Sequence, residues 1–326
     1  MEDKGFTPRN IMVTGGAGFI GSYFLVHMVK KYPGYNFYNV DILDYCASLK
    51  RVQEVEDHPN YEFIKGDVCS MDLIDYVLKE KRIDTVVHFA AQTSVDNSWG
   101  NSLTFTKTNV MGTHVLLEAS LKNDIKRFVH ISTDEIYGNW KDEDAATENS
   151  ILDPVNPYAA SKAGAEFLVK SYAKSFRLPT IITRSNNIYG PNQYPEKIIG
   201  KFVSQVVNGN KMSLHGNGNN LRTYIHVEDV VSAFDIILHN GKNSSIYNIG
   251  GDNEFSNNDI AVKIAGMMGK DPVECMEYVD DRPFNDERYF VNSEALKALG
   301  WEERVDFDKG LMDTVEWFKD NQDYFD

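Results

Sequence analysis

The chain has little of what several protein classes require. It carries 3 cysteines, Cys46, Cys69 and Cys275, none in a CxxC spacing, so neither a disulfide framework nor a zinc or other metal site is expected, and the odd count suits a reducing compartment. No apolar run approaches the roughly 20 residues that a membrane span needs. The charged start, "MEDKGFTPRN", lacks the apolar core of a secretory leader. Positive charge is also scarce. Lys and Arg number 33 against 48 Asp and Glu, a formal net charge of −15, and such a field repels nucleic acid and anionic membrane alike. Any phosphorylated ligand must then be held by a few local basic groups. Internal repeats, low-complexity tracts and long linkers are absent as well. What these absences leave is a cytoplasmic chain of 326 residues, 42% hydrophobic, long enough for one large α/β domain or a main domain with a smaller lobe.

What is present is a rhythm. The runs "NIMVTG", "NFYNVD", "YEFIKGD", "IDTVVHFAA", "RFVHIST" and "PTIITRS" each read as a buried parallel strand. Between them "GSYFLVHMVKKY", "MDLIDYVLKEK", "NSLTFTKTNVMGTHVLLEASLKND" and "PYAASKAGAEFLVKSYAKSF" carry apolar residues at helical spacing. This alternation predicts a Rossmann-like, doubly wound parallel sheet. We expect residues 1–9 to fray and 10–189 to form the dinucleotide-binding domain, with 223–250 returning to it. Residues 190–222 and 251–326, richer in Pro, Gly and Asn turns, are expected to form a substrate-binding lobe.

"VTGGAGFIG" follows the first strand and opens a helix. Gly15, Gly18 and Gly21 allow a tight turn and let backbone N–H groups approach a pyrophosphate at the helix N-terminus. Asp41 ends the second strand, 20 residues after Gly21, where a carboxylate accepts from an adenosine ribose and repels a 2′-phosphate, so NAD is expected over NADP. Asp67, ending the third strand, is placed to contact adenine. Phe19, Ile20, Val68, Ala90 and Ala91 complete the expected cofactor lining.

"PYAASK" sets Tyr158 and Lys162 four apart, on one helix face. A lysine ammonium there lowers the cost of a tyrosinate, making the phenol a usable base. Ser132 and Thr133 close the preceding strand with hydroxyls able to bind the same substrate oxygen. Together these groups point to hydride removal from a secondary alcohol.

At this point the residues resemble the extended short-chain dehydrogenases/reductases, and within them the nucleoside-diphosphate-glucose 4,6-dehydratases. "TGGAGFIGS", "HFAAQTSVDNS", "TNVMGTHVLLEA", "STDEIYG", "NPYAASKAGAE", "GPNQYPEK" and "DRPFNDERYF" carry the resemblance over nearly the whole chain. The most specific element is Thr133-Asp134-Glu135, because related epimerases and decarboxylases share the glycine turn and the Tyr-Lys pair but lack the two acids. The pair has a chemical reason. Oxidising C4 of a hexose acidifies the C5 proton, so one base and one acid are needed to remove that proton and release the C6 hydroxyl as water. By resemblance Asp134 is the acid, Glu135 the base, and Tyr158 the base for the 4-hydroxyl, with Thr133 and Lys162 supporting it.

The resemblance also implies that Thr108 contacts the cofactor and that Thr93, Thr133, Asn187, Glu196, Lys197, Arg222 and Arg282 bind the nucleotide sugar, Arg222 and Arg282 supplying the diphosphate's charge-assisted donors. Three positions depart from the family pattern. Ser94 stands where many relatives carry His, Ile188 where a second Asn is common, and Gly200 where proline is frequent, which is expected to loosen that loop. The helices expected at 103–122 and 158–178 form a homodimer interface in relatives, so a homodimer is expected here. The motif wording resembles eukaryotic and plant rhamnose-pathway members, implying UDP-glucose over dTDP-glucose. A 4-epimerase, a C6 decarboxylase and a non-enzymatic NAD-binding regulator are the competing readings.

Overall fold

The short β-branched runs form strands and the amphipathic segments between them form helices. In a computed structural model, residues 6–325 are described. The strands are β1 (Asn10–Thr14), β2 (Asn36–Asp41), β3 (Tyr61–Lys65), β4 (Thr85–His88), β5 (Arg127–Thr133), β6 (Thr180–Ser185), β7 (Asn187–Tyr189), β8 (Met212–His215), β9 (Leu221–His226), β10 (Ser245–Ile249), β11 (Asn253–Ser256), β12 (Met276–Val279) and β13 (Arg288–Tyr289). The helices are α1 (Phe19–Lys31), α2 (Met71–Glu80), α3 (Val95–Gly100), α4 (Ser102–Phe105), α5 (Gly112–Lys122), α6 (Pro157–Phe176), α7 (Ile198–Val207), α8 (Val227–Asn240), α9 (Asn257–Met267), α10 (Pro272–Cys275), α11 (Glu294–Lys297) and α12 (Phe307–Asp320).

Seven strands make one sheet in the order β10-β6-β5-β4-β1-β2-β3, every pair parallel. All six strands expected from the sequence lie in it; β1, β4, β5 and β6 are buried almost throughout, as a sheet covered on both faces demands, while the edge strand β3 is only partly buried. On one face Ile11, Val13, Val129 and Ile181 pack with Phe24 and Met28 of α1 and Phe234 and Ile237 of α8. On the other, Met12, Val86, Phe128 and Ile182 pack with Ile74 of α2, Leu116 of α5 and Val169 of α6. The strand order reverses between β1 and β4, which opens a crevice at their carboxyl ends.

A second sheet, β11-β9-β13 with β7 alongside β9, and a small β12-β8 pair stand beyond the carboxyl edge. They share a core of Phe202, Leu214, Tyr224, Ile264 and Leu311. Of the segment 223–250, α8 and β10 join the central layers, but β9 does not. Its backbone pairs with β7, β11 and β13 instead, so the buried run "TYIH" is explained by the second sheet. The expected fraying of residues 1–9 is also corrected in part. Residues 1–5 lie outside the described residues, whereas Arg9 N donates to Asp84 Oδ2 at 3.0 Å and the Arg127 guanidinium lies 5.6 Å from the Phe6 ring centre. The single helix expected over 101–124 runs unbroken from Ser102 to Lys122, but a π-helical turn over Thr106–Met111 interrupts its α-helical bonding between α4 and α5.

Candidate active site

A cavity of about 580 Å³ fills the crevice between the central sheet and the second lobe. All the residues expected to bind cofactor or substrate line it, with contributions from the ends of β1, β2, β4, β5 and β6. Its dinucleotide half is built first by the glycine turn. Gly15 has φ 73°, and a Cβ there would meet Ala90 N at 2.6 Å; one on Gly21 would meet Gly15 O at 2.4 Å. A side chain at either position would fill the space beside the N-terminus of α1, where Gly18, Phe19 and Ile20 also face the cavity. Asp41 is buried, and its carboxylate accepts from Ala17 N at 2.9 Å and Leu43 N at 2.8 Å. It thus fastens the glycine turn to β2 as well as facing the cavity. Asp67 and Val68 follow β3, Ala90 and Ala91 follow β4, and Thr108 sits on the π turn, all lining the same half. Such turns mark functional sites because the extra residue re-aims a side chain. The cradle and the buried carboxylate fit a dinucleotide without a 2′-phosphate.

The catalytic half is set by where β5 stops. Thr133 caps a single 3-10 turn, Asp134–Tyr137, its hydroxyl accepting from Glu135 N at 3.2 Å. Gly138, at φ 77°, ends that turn in a place where a Cβ would lie 2.1 Å from Asp153 O. Facing it, α6 starts on Asn156, whose side chain accepts from Ala159 N at 2.8 Å, with Pro157 at the first helical position. The turn and the helix therefore present Thr133, Asp134, Glu135, Tyr158 and Lys162 to one wall of the cavity.

Burial, and then the charge of Glu135, pushes the Asp134 carboxyl up to about 7. Burial raises Glu135 too, opposed by Lys197 and by the Asn156 amide. Two adjacent carboxyls withdrawn from solvent do not both ionise readily. Asn186 Nδ2 donates to Asp134 Oδ2 at 2.6 Å and Asn156 Nδ2 to Glu135 Oε2 at 3.2 Å. The expected easing of the Tyr158 phenol by Lys162 is not seen. Lys162 Nζ donates to the Ile131 carbonyl at 2.6 Å, while burial, followed by the Glu135 charge, raises the phenol. Lys162 itself is lowered to about 8 by burial, with Glu166 acting against it.

Across the cavity, Arg222 is buried, stacks on Tyr289 with 4.5 Å to the ring centre and donates to Asn285 Oδ1 at 3.1 Å. Asn187 faces the cavity from β7. Lys197 Nζ donates to the Thr93 carbonyl at 2.8 Å, Glu196 Oε2 accepts from Tyr45 OH at 2.7 Å, and Arg282 Nη2 donates to Asp96 Oδ2 at 3.1 Å. Sequence reasoning missed Asn156, Asn186, Asn285 and Tyr289. Only Asn156 left a signal, an Asn-Pro pair opening a helix. Of the departures, Ser94 caps α3 by accepting from Asn97 N at 3.3 Å, and the Ile188 carbonyl accepts from Gln193 Nε2 at 2.8 Å. Gly200 does not loosen a loop. It lies inside α7, where a Cβ would meet Phe318 Cζ at 2.8 Å, so close helix packing accounts for it.

A parallel sheet with a glycine turn at its first βα junction and a Tyr-Lys pair facing that turn defines the extended short-chain dehydrogenase/reductase class. Residues 12–314 match the family described as GDP-mannose 4,6 dehydratase, and the chain belongs to that family. It is 48% identical, over its full length, to the trifunctional UDP-glucose 4,6-dehydratase/UDP-4-keto-6-deoxy-D-glucose 3,5-epimerase/UDP-4-keto-L-rhamnose-reductase RHM2 of Arabidopsis thaliana, of which the match covers 49%. The chain thus spans about half the length of this plant relative. It is 43% identical to the human dTDP-D-glucose 4,6-dehydratase over 97% of this chain and 91% of that one. The crystal structure of the Bacillus anthracis dTDP-glucose 4,6-dehydratase in complex with NAD superposes with a TM-score of 0.90 at 41% identity, covering 97% of this chain and 98% of that one.

Proposed function

We propose that the protein is an NAD-dependent nucleoside-diphosphate-glucose 4,6-dehydratase, converting UDP-glucose to UDP-4-keto-6-deoxyglucose and water. The observation that carries the reading is the adjacent pair of buried Asp134 and partly buried Glu135 beside Tyr158 and Lys162 in one cavity. When bound, NAD supplies a reversible hydride acceptor, which lets C4 be oxidised and C6 reduced with no net redox change. The glycine turn, Asp41 and Thr108 hold it. Tyr158, acting as the phenolate, takes the proton of the 4-hydroxyl and becomes the neutral phenol, while Lys162, held on the Ile131 carbonyl, supplies positive charge to the same wall of the cavity. Glu135 removes the C5 proton, while Asp134 protonates the departing C6 hydroxyl, which leaves as water. As C6 is reduced, Glu135 returns a proton to C5. Arg222 and Arg282 bind the diphosphate, and Thr93, Asn187, Glu196 and Lys197 surround the sugar.

UDP-glucose is preferred over dTDP-glucose because identity to the UDP-glucose relative is higher, 48% against 43%. That relative's name also couples the keto sugar to epimerase and reductase steps, which supports a place in rhamnose formation. Three free thiols accord with a cytoplasmic setting. A homodimer is supported by Leu103, Met111 and Phe167, exposed by 80%, 54% and 60% on the α4–α6 face. Light scattering at micromolar concentration should give twice the chain mass; a monomer would refute the dimer. Incubation with UDP-glucose or dTDP-glucose should yield a product lighter by one water, read by mass spectrometry, with UDP-glucose turned over faster. A 4-epimer of unchanged mass would refute the dehydratase reading.

A further inference from the structure

The end of the acid-bearing turn is fastened by a polar cluster that the proposed chemistry does not use. Ser132 of β5, Arg184 of β6 and Asn248 of β10 share one row across the sheet. Arg184, fully buried, donates from Nε to Glu166 Oε1 at 3.0 Å and from Nη2 to Glu166 Oε2 at 2.8 Å. Its remaining nitrogen, Nη1, donates to Tyr137 OH at 2.6 Å and to the Glu148 carbonyl at 3.2 Å. Tyr137 OH in turn donates to Asn248 Oδ1 at 2.8 Å, and the guanidinium lies 4.8 Å from the centre of the Tyr137 ring. Asn248 is itself fixed, donating from Nδ2 to the Ala146 carbonyl at 3.2 Å.

A buried ion pair adds little net stability over apolar packing of the same volume, and what it gives instead is fixed direction. Here the direction is specific. Glu166 lies on α6, one turn beyond Lys162 and two beyond Tyr158, while Tyr137 closes the single turn that bears Asp134 and Glu135. The guanidinium therefore ties the helix carrying the oxidation groups to the turn carrying the elimination groups, and the Tyr137 hydroxyl is the link on the turn's side alone.

We propose that Tyr137, held by the Arg184–Glu166 pair, is a positioning residue for the elimination step, fixing where Asp134 and Glu135 meet C6 and C5 of the substrate. The assignment rests on the dehydratase reading above. Removing the hydroxyl cuts the turn's bond to the guanidinium while leaving the two Arg184–Glu166 bonds that hold α6, so the elimination groups are loosened more than Tyr158 and Lys162 and the two chemical steps separate.

The test compares wild type and Tyr137→Phe on UDP-glucose carrying deuterium at C4 or at C5. The variant is expected to keep KM within about twofold and lose roughly 10- to 100-fold in kcat, the scale of a misplaced catalytic group. Its isotope effect from C5 deuterium should grow and that from C4 deuterium should shrink, because elimination has become limiting. Asn248→Ser, which removes the acceptor of the Tyr137 hydroxyl, repeats the test from β10 and should shift both effects the same way; thermal unfolding of each variant identifies the one to be read. A wild-type kcat in the folded variant, or a growing C4 effect, overturns the positioning role while the dehydratase reading stands. A wild type that releases no water from any nucleoside-diphosphate glucose overturns both.

Discussion

Asp134 and Glu135 sit side by side in one turn, and their proximity works against the fold. Asp134 is 2% exposed, and its carboxyl stands at about 7 against an ordinary 3.8. A carboxyl raised on folding contributes stability that is fully present below its unfolded value, near pH 4, and is lost as pH rises through about 7. Asp134→Asn is therefore expected to raise the stability at about pH 8, by an amount on the order of 1–4 kcal/mol, and to change it little at about pH 4. The same variant should slow water release at every pH. Calorimetry at the two pH values checks the first expectation; a variant less stable than wild type at the higher pH would show that the hydrogen bonds from Asn186 and Thr133 outweigh the charge. The identities of the acids were legible in the sequence because Thr133-Asp134-Glu135 is a contiguous pattern following a strand. Their supports were not, since Asn156 and Asn186 stand 21 and 52 residues from the acids they bind, and a single sequence does not show which of many asparagines turns inward.

The helices that carry the site are held by contacts of the same long-range kind. Asp235 on α8 accepts from Lys31 Nζ at 2.7 Å and Tyr32 OH at 2.9 Å, and lies 2.9 Å from His27 Nε2, all from α1 or its end, with His239 Nδ1 at 3.0 Å. Burial raises its carboxyl, but these four partners outweigh burial and hold it well below the usual carboxylate range. Because the folded value is depressed, the contribution is present above the unfolded value and fades as pH falls below it. Asp235→Asn should cost about 1–3 kcal/mol at neutral pH, as its four partners lose a charged, buried acceptor, and the deficit should narrow in acid; urea unfolding at two pH values measures both. Since α1 opens on the glycine turn, the variant should also weaken cofactor retention. A deficit independent of pH would mean the four donors act through packing and not through the charge. At this scale six of the parallel strands and the helices packed directly between them, α1, α2, α5 and α6, were legible from period alone. Two features were not: the π turn over Thr106–Met111, because one extra residue barely disturbs helical spacing, and the sheet that takes β9, because an apolar run does not name its neighbour.

For the whole molecule, a net charge of −15 confines anion binding to the few cations lining the cleft, and this requirement was legible from composition. What composition could not reveal is that two of those cations, Arg282 and Lys197, are already engaged across the cleft. Arg282 of the second lobe meets Asp96 of the first, with Nε 2.7 Å from Oδ1; Lys197 reaches the Thr93 carbonyl, and Glu196 receives Tyr45. A diphosphate approaching Arg282 has to displace Asp96, a carboxylate 47% exposed paired with an arginine 30% exposed. A pair this open is worth only about 0.2–1 kcal/mol, so removing the competitor should help binding by a small factor. Asp96→Asn is expected to tighten binding of free UDP about two- to fivefold at low ionic strength, and the gain should vanish near 0.5 M salt, where the Debye length is only about 4 Å. Isothermal titration at the two salt concentrations measures this, with Arg282→Gln as the companion variant. If Arg282 is the diphosphate ligand, Arg282→Gln weakens UDP binding and abolishes the benefit of Asp96→Asn in the double variant. Equal affinity in wild type and Asp96→Asn at low salt would instead place the diphosphate on Arg222 alone, leaving the Asp96–Arg282 pair as a strap that joins the two lobes without gating the ligand.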